Sequence, residues 1–210
     1  MGRRGKESLI IDQVTKTILI IGSDKLAAQA LTLEETKASG VTVFLDRSSS
    51  LGRVIKLVRQ RRIRFGLISK MFLAEMTRSR PKNQFQIDGQ IRSNKDLLEA
   101  LSKYAPKQVV LFRAGLIINK AVIDIGIPLL NIHCAKVPDY GGLGSIDRAL
   151  SDGVYRQEAT LHQVTVSIDE GEIYDTEPFE LRPNLGYTDN ENLAYRAGLV
   201  LLRRTLKTLA

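Results

Sequence analysis

Four short runs constrain this chain more than any other feature: TILII, VTVFL, QVVLF and the PLLNIH stretch that ends at His133. A strand wet on one side alternates apolar with polar residues. Near-continuous apolar runs belong to strands covered on both faces, as in a parallel sheet packed between helices. The intervening pattern supplies those helices. One runs from Asp24 to about Ala38, where Asp24 is a capping residue and Gly40 a stop. A second has Leu51, Val54, Ile55 and Val58 at helical spacing. SNKDLLEALSKYA starts at a capping Ser93 or Asn94 and ends before Pro106, and a brief helical connection is expected around Lys120–Asp124. Pro81 through Arg92 reads as loop or a short irregular strand. ATLHQVTVSI alternates as an exposed-edge strand does, EIYDTEPFEL is its pairing candidate, and Asp189–Leu209 reads as a long helix. Strands alternating with helices through the first two-thirds predict an α/β fold with a doubly wound, mostly parallel sheet flanked by helices.

Composition narrows the possible functions. The chain has 210 residues, 43% of them hydrophobic and 26% charged, enough for a sizeable core and too apolar for wholesale disorder. The length suits one domain. A single Cys (Cys134) excludes a disulfide framework and fits a reducing cytoplasm. Two His and one Cys cannot build a His/Cys zinc cage, so no metal is expected. No apolar run approaches the roughly 18 residues needed to cross a bilayer, and MGRRGKESLIID lacks the apolar centre of a secretory signal. A cytoplasmic location is expected.

The net charge of +8 is local. Residues 51–82 hold ten Lys and Arg against one acid, Glu75, and the rest of the chain sums to −1. Such a concentration suits an anionic partner, including an anionic membrane surface. A helix with a solvated basic side is the competing reading.

Familiar phosphate and nucleophile signatures are missing. IGSDKLAAQ has a single glycine after the first strand, so neither the dinucleotide fingerprint nor a phosphate-cradling P-loop is present. No G-x-S-x-G elbow occurs. His133 and Cys134 are adjacent in a strand and point to opposite faces, so they cannot form a nucleophile–base pair. Cys134 reads as buried filler. The distinctive segment is LLNIHCAKVPDYGGLG. Asn131 and His133 share a strand face at the carboxyl end of a parallel strand, where open α/β folds place their ligands. An amide beside an imidazole suits acyl transfer: the amide stabilises a developing oxyanion and the imidazole exchanges protons.

Read with its neighbours, that segment resembles the folate-dependent formyltransferases, the family of methionyl-tRNA formyltransferase, glycinamide ribonucleotide transformylase and the sugar-nucleotide N-formyltransferases. The family signature runs Asn-x-His, four residues, Pro-x-Tyr-x-Gly, then an Ala-Leu helix and a strand ending in an Asp-x-Gly loop. Here it stands as NIHCAKVPDYGG, RAL and TLHQVTVSIDEGEI. The resemblance implies a Rossmann-like formyltransferase domain over 17–210, preceded by a basic extension over 1–16. It assigns Asn131, His133 and Asp169 as catalytic. Asp169 lies 36 residues after His133, the family's spacing, and would orient that ring and favour its charged form. It places 10-formyltetrahydrofolate against Gly115, Leu116 and Ile117 and against a second loop with Val166, Ser167 and Ile168. Tyr140 and Lys136 fall at the acceptor side, with Tyr140 either lining the pocket or bracing the loop. His162, mid-strand, reads as structural.

Departures direct the choice of acceptor. Cys134 stands where Pro is usual, Lys136-Val137-Pro138 replaces Leu-Leu-Pro, and Gly141 stands where Arg is common. The Gly-Asn-Gly-Ser loop of the ribonucleotide enzyme is absent, and the chain ends without the second domain of the tRNA enzyme, which makes tRNA an unlikely partner. What remains is a small amine, within this family an amino-sugar nucleotide of the kind used in lipopolysaccharide O-antigen biosynthesis. Two alternatives stay open: a catalytically weakened relative that binds folate or a partner, and a basic nucleic-acid or membrane-surface binder. The apolar stripe of the last helix is a candidate homodimer face.

Overall fold

The computed structural model describes residues 16–48, 65–81 and 86–209. Its centre is one seven-stranded sheet in the order β3-β2-β1-β4-β5-β6-β7. The strands are β1 (Thr17–Ile21), β2 (Val41–Asp46), β3 (Gly89–Ile91), β4 (Gln108–Phe112), β5 (Leu129–His133), β6 (Arg156–Gln163) and β7 (Ile173–Glu180). The first five are parallel; β6 pairs antiparallel with β5, and β7 antiparallel with β6, so only β6 runs against the rest. The helices are α1 (Phe65–Thr77), α2 (Asn94–Tyr104), α3 (Lys120–Ile123), α4 (Ser145–Ser151) and α5 (Tyr187–Leu209).

The central strands explain the apolar runs. Every residue of β1 and β4 is buried. Leu19 and Ile21 meet a core that includes Leu201, Leu202 and Leu206 of α5. Ile18 and Ile20 face the opposite core with Leu97 and Leu101 of α2. Side chains two apart thus serve the two layers of a doubly wound sheet. α2 begins as predicted, with the Ser93 side chain accepting from the Asp96 N–H.

Three expectations are corrected. Asp24–Ala38 is two 3-10 turns, Ala27–Thr32 and Glu34–Lys37, in place of one α-helix. Ala27, Ala30, Leu33 and Thr36 are all buried, a spacing of three that a 3-10 helix keeps on one face and an α-helix rotates away. β6 is not an edge: it lies between β5 and β7, and it stops at Gln163, so 164–168 is loop. The stripe on α5 is no open dimer face, because Ala194, Ala197, Leu201, Leu202 and Leu206 lie in the core. The amphipathic stretch from Leu51 to Val58, seven of the ten Lys and Arg of the basic segment and residues 1–15 of the basic extension fall outside the described residues. No helix among the described residues is long and apolar enough to cross a membrane.

Candidate active site

The order in which the chain adds strands reverses between the parallel neighbours β1 and β4, the usual ligand crevice of such folds. Here that crevice is closed by protein. An added Cβ at Gly22 would lie 2.5 Å from the Arg113 carbonyl oxygen, and Arg113 Nε sits 2.5 Å from Asp24 Oδ2. The missing dinucleotide fingerprint therefore has a structural counterpart. The polar groups gather beyond β4, at the carboxyl end of β5.

Three elements bring them together. β5 carries Asn131 and His133 on one face, β6 places His162 directly opposite Asn131 in the ladder, and the loop after β6 folds Asp169 back over both. Gly171 permits the return. A Cβ there would lie 1.9 Å from the Gln163 carbonyl oxygen, so only glycine lets the loop cross the strand end. Asp169 itself takes a left-handed conformation, φ 55°, which Asp tolerates better than most residues. Gly171→Ala is expected to displace Asp169 and lower turnover about a hundredfold, measurable as kcat beside a melting curve that still reports a folded protein.

The carboxylate of Asp169 is the hub. Oδ1 accepts from Asn131 Nδ2 at 3.3 Å and lies 3.4 Å from His162 Nε2. Oδ2 accepts from the Gly142 N–H at 2.6 Å and lies 3.4 Å from His133 Nδ1. Burial works against its charge, but His162, His133 and the Gly142 N–H outweigh it and bring the carboxyl down to about 2.

The tautomers follow from the partners. His162 Nδ1 lies 2.9 Å from the Gln163 carbonyl, which can only accept, so Nδ1 carries the proton and Nε2 accepts from Asn131 Nδ2 at 3.1 Å. Both N–H groups of Asn131 are then engaged, and one must exchange partners to meet a substrate oxygen. His133 Nε2 donates to the Tyr140 carbonyl at 2.9 Å, which leaves Nδ1 facing Asp169. Asp169 does favour the charged ring, as expected, but it does not set the net direction. Desolvation outweighs Asp169 and the Tyr140 carbonyl and lowers the ring's pKa from 6.5. The resting ring is neutral, with a basic nitrogen beside a carboxylate that would stabilise it once protonated.

The other predicted residues are dispersed. Tyr140 is 8% exposed, packs in the core and sets its hydroxyl 3.3 Å from Asp152; its side chain braces the loop while its carbonyl orients His133. Lys136 pairs with Asp139 at the surface. A cavity of about 280 Å³ lies instead between Val137, Pro138, Asp169, Glu170, Gly171 and Ile173. Gly115, Ile117, Val166, Ser167 and Ile168 are exposed, while Leu116 is buried beneath them. Exposed Ile117, Val166 and Ile168 suit the apolar face of a heterocycle. Gly141 packs against Asp169, where a Cβ would be 3.0 Å from the Asp169 Cβ, and Arg148 reaches the Gly141 carbonyl from α4. Cys134 is buried, its thiol pushed up to about 12 by desolvation. No group of three or more His, Cys, Asp or Glu among the described residues is placed to hold a metal.

The sequence reading missed the part His162 plays. The available signal was a lone imidazole in the mostly polar strand RQEATLHQ, and only strand register sets it opposite Asn131.

Comparison with known proteins gives this arrangement a family. Residues 16–195 match the family model described as formyl transferase. The methionyl-tRNA formyltransferase of Caldicellulosiruptor saccharolyticus is 27% identical over 121 residues, 57% of this chain and 39% of that protein. The chain thus spans about two-fifths of that curated relative. The fold is shared with the phosphoribosylglycinamide formyltransferase of Anaplasma phagocytophilum, at TM-score 0.65 and 16% identity over 91% of this chain and 85% of the other. A Mycobacterium tuberculosis protein described as a sugar N-formyltransferase superposes at TM-score 0.63 and 14% identity, over 92% of this chain and 67% of its own. With the family model spanning most of the sequence and the fold shared throughout, the chain belongs to the formyl transferase family.

Proposed function

We propose that the protein is an N-formyltransferase that moves a formyl group from 10-formyltetrahydrofolate to a primary amine. The observation that carries this is the convergence of Asn131, His133 and Asp169 at one strand end, with Asp169 within 3.4 Å of both partners. Bound at the 115–117 and 164–168 loops, the folate supplies the activated formyl carbon. His133 Nδ1 takes the proton of the attacking amine, and Asp169 and the Tyr140 carbonyl hold the imidazolium that results. Asn131 turns one N–H to the carbonyl oxygen as its charge grows. When the tetrahedral intermediate collapses, the bond between the formyl carbon and the folate nitrogen breaks, and the imidazolium returns its proton to that nitrogen as tetrahydrofolate leaves.

The acceptor reading is an amino-sugar nucleotide. The loop after β1 offers no phosphate cradle: Asp24 pairs with Arg113, and Glu75 accepts from the Lys25 N–H at 3.0 and 3.2 Å. Two carboxylates thus stand at this loop, and their charge disfavours a phosphate there. A separate cavity of about 370 Å³ has Gln29, Thr188, Asn192 and Arg196 on its walls beside the Glu191-paired Arg78, and Arg196 with the amides offers donors to a nucleotide diphosphate. Incubation with formyl donor and a panel of amines, amino-sugar nucleotides beside simple amino sugars and methionyl-tRNA, tests this. Formylation of a nucleotide sugar is expected; no transfer to any amine overturns the enzymatic reading.

The neutral ring makes a pH prediction. His133 is displaced below 6.5, so its basic form predominates above that value. Corrected for the acceptor's own ionisation, kcat/KM is expected to rise with a midpoint below 6.5 and stay level from about 7 to 8. A fall across that upper range would mark a ring that acts in its charged form.

A further inference from the structure

We propose that Asp46, at the end of β2, is a positioning residue for the formyl donor, acting by fixing the peptide planes of the 114–117 loop. The inference rests on the donor reading of that loop given above. Asp46 is 3% exposed. Its Oδ2 accepts from the N–H groups of Gly115 and Leu116, the latter at 3.0 Å, and Oδ1 accepts from the Ser48 N–H at 2.7 Å. Among the described residues its partners are backbone amides rather than a cation. A buried carboxylate is held in place only when such charge-assisted bonds replace its water.

The consequence is geometric. Peptide units are planar, with C=O and N–H on opposite sides. With the Leu116 N–H turned in to Asp46, the Gly115 carbonyl is turned away from it; with the Gly115 N–H turned in, so is that of Ala114. One buried carboxylate therefore fixes the planes of two successive peptides in the loop that presents Ile117. Asn94 of α2 clamps the outer side of the same loop: its Nδ2 donates to the Ile117 carbonyl at 2.9 Å and its Oδ1 accepts from the Asn119 N–H at 3.0 Å. Leu116 and Ile118 are buried while Ile117 is 54% exposed, so the loop alternates between anchoring and presenting.

The test is binding of 5-formyltetrahydrofolate to the full chain by titration calorimetry, in wild type, Asp46→Asn and Asn94→Ala, with donor KM and kcat measured on the amine that the panel identifies. Asp46→Asn is expected to weaken binding about tenfold, the loss of roughly one charge-assisted bond. Donor KM should rise in proportion and kcat stay within about twofold. Asn94→Ala, on the solvent side, should shift affinity severalfold in the same direction at unchanged melting temperature, and it decides the matter if Asp46→Asn does not fold. Wild-type affinity in the folded variants, or a loss confined to kcat, overturns the inference alone. A wild-type protein that binds no folate overturns the donor reading and this inference with it.

Discussion

Asp169→Asn is expected to lower formyl transfer by about a hundredfold or more while leaving a folded protein. The substitution keeps shape and removes charge. An amide oxygen can still accept from Gly142, whose N–H lies 2.6 Å from the carboxylate. What it cannot do is stabilise a protonated His133, whose Nδ1 lies 3.4 Å away. Nor can it accept at both of its terminal atoms, so the contact with either Asn131 or His133 is lost. Removing one preorganised group of this kind usually costs two to three orders of magnitude in turnover, and loss of the acid that orients a catalytic imidazole costs about four in the serine proteases. Steady-state kinetics with the donor and the identified amine provide the measurement, with circular dichroism as the folding check. Turnover within about threefold of wild type would sink the role assigned to the carboxylate.

The second large effect is on stability. Glu191, 3% exposed on α5, serves two buried guanidinium groups: Arg78 Nη2 lies 2.6 Å from one oxygen and Arg113 Nη1 3.2 Å from the other. Tyr187 adds its hydroxyl at 3.3 Å, and Arg113 stacks over the Tyr195 ring at 4.3 Å. Burial alone would discharge Arg113; Tyr195, Asp24 and Glu191 together hold it well above its ordinary value. Glu191→Ala leaves Arg78, with 7% of its side chain exposed, without a counter-charge. Breaking a buried pair from one side costs about 3–5 kcal/mol, on the order of 10 °C in melting temperature at this chain length. Adding Arg78→Met to Glu191→Leu should recover part of that loss, because Arg113 keeps Asp24. Thermal unfolding of the single and double variants reads both numbers. A single variant that melts with wild type would show the cluster to be energetically idle.

Gly198 shows the same dependence on close packing. A Cβ there would lie 2.5 Å from Cys134 Sγ, so Cys134 packs against a bare stretch of α5.

How much was legible in the sequence depended on the range of the force that placed each residue. β1, β4 and β5 were readable because burial on both faces leaves an apolar run in a single segment. α2 was readable from its Ser93 cap, and the Asn131–His133 face from strand alternation. The turns over 27–37 were not, because the period of three reflects the surface they pack on, which the segment does not contain.

The chain by itself therefore determined the strand–helix alternation and the face shared by Asn131 and His133, which are local properties, while Asp169 was reached through the resemblance to the formyltransferase motif. Tertiary structure alone decided that His162 meets Asn131, that His133 rests neutral, that Asp46 holds a loop 69 residues away and that Glu191 joins two arginines. Hydrogen bonds and desolvation act over a few ångströms, and only the folded sheet brings residues so distant in sequence within that reach.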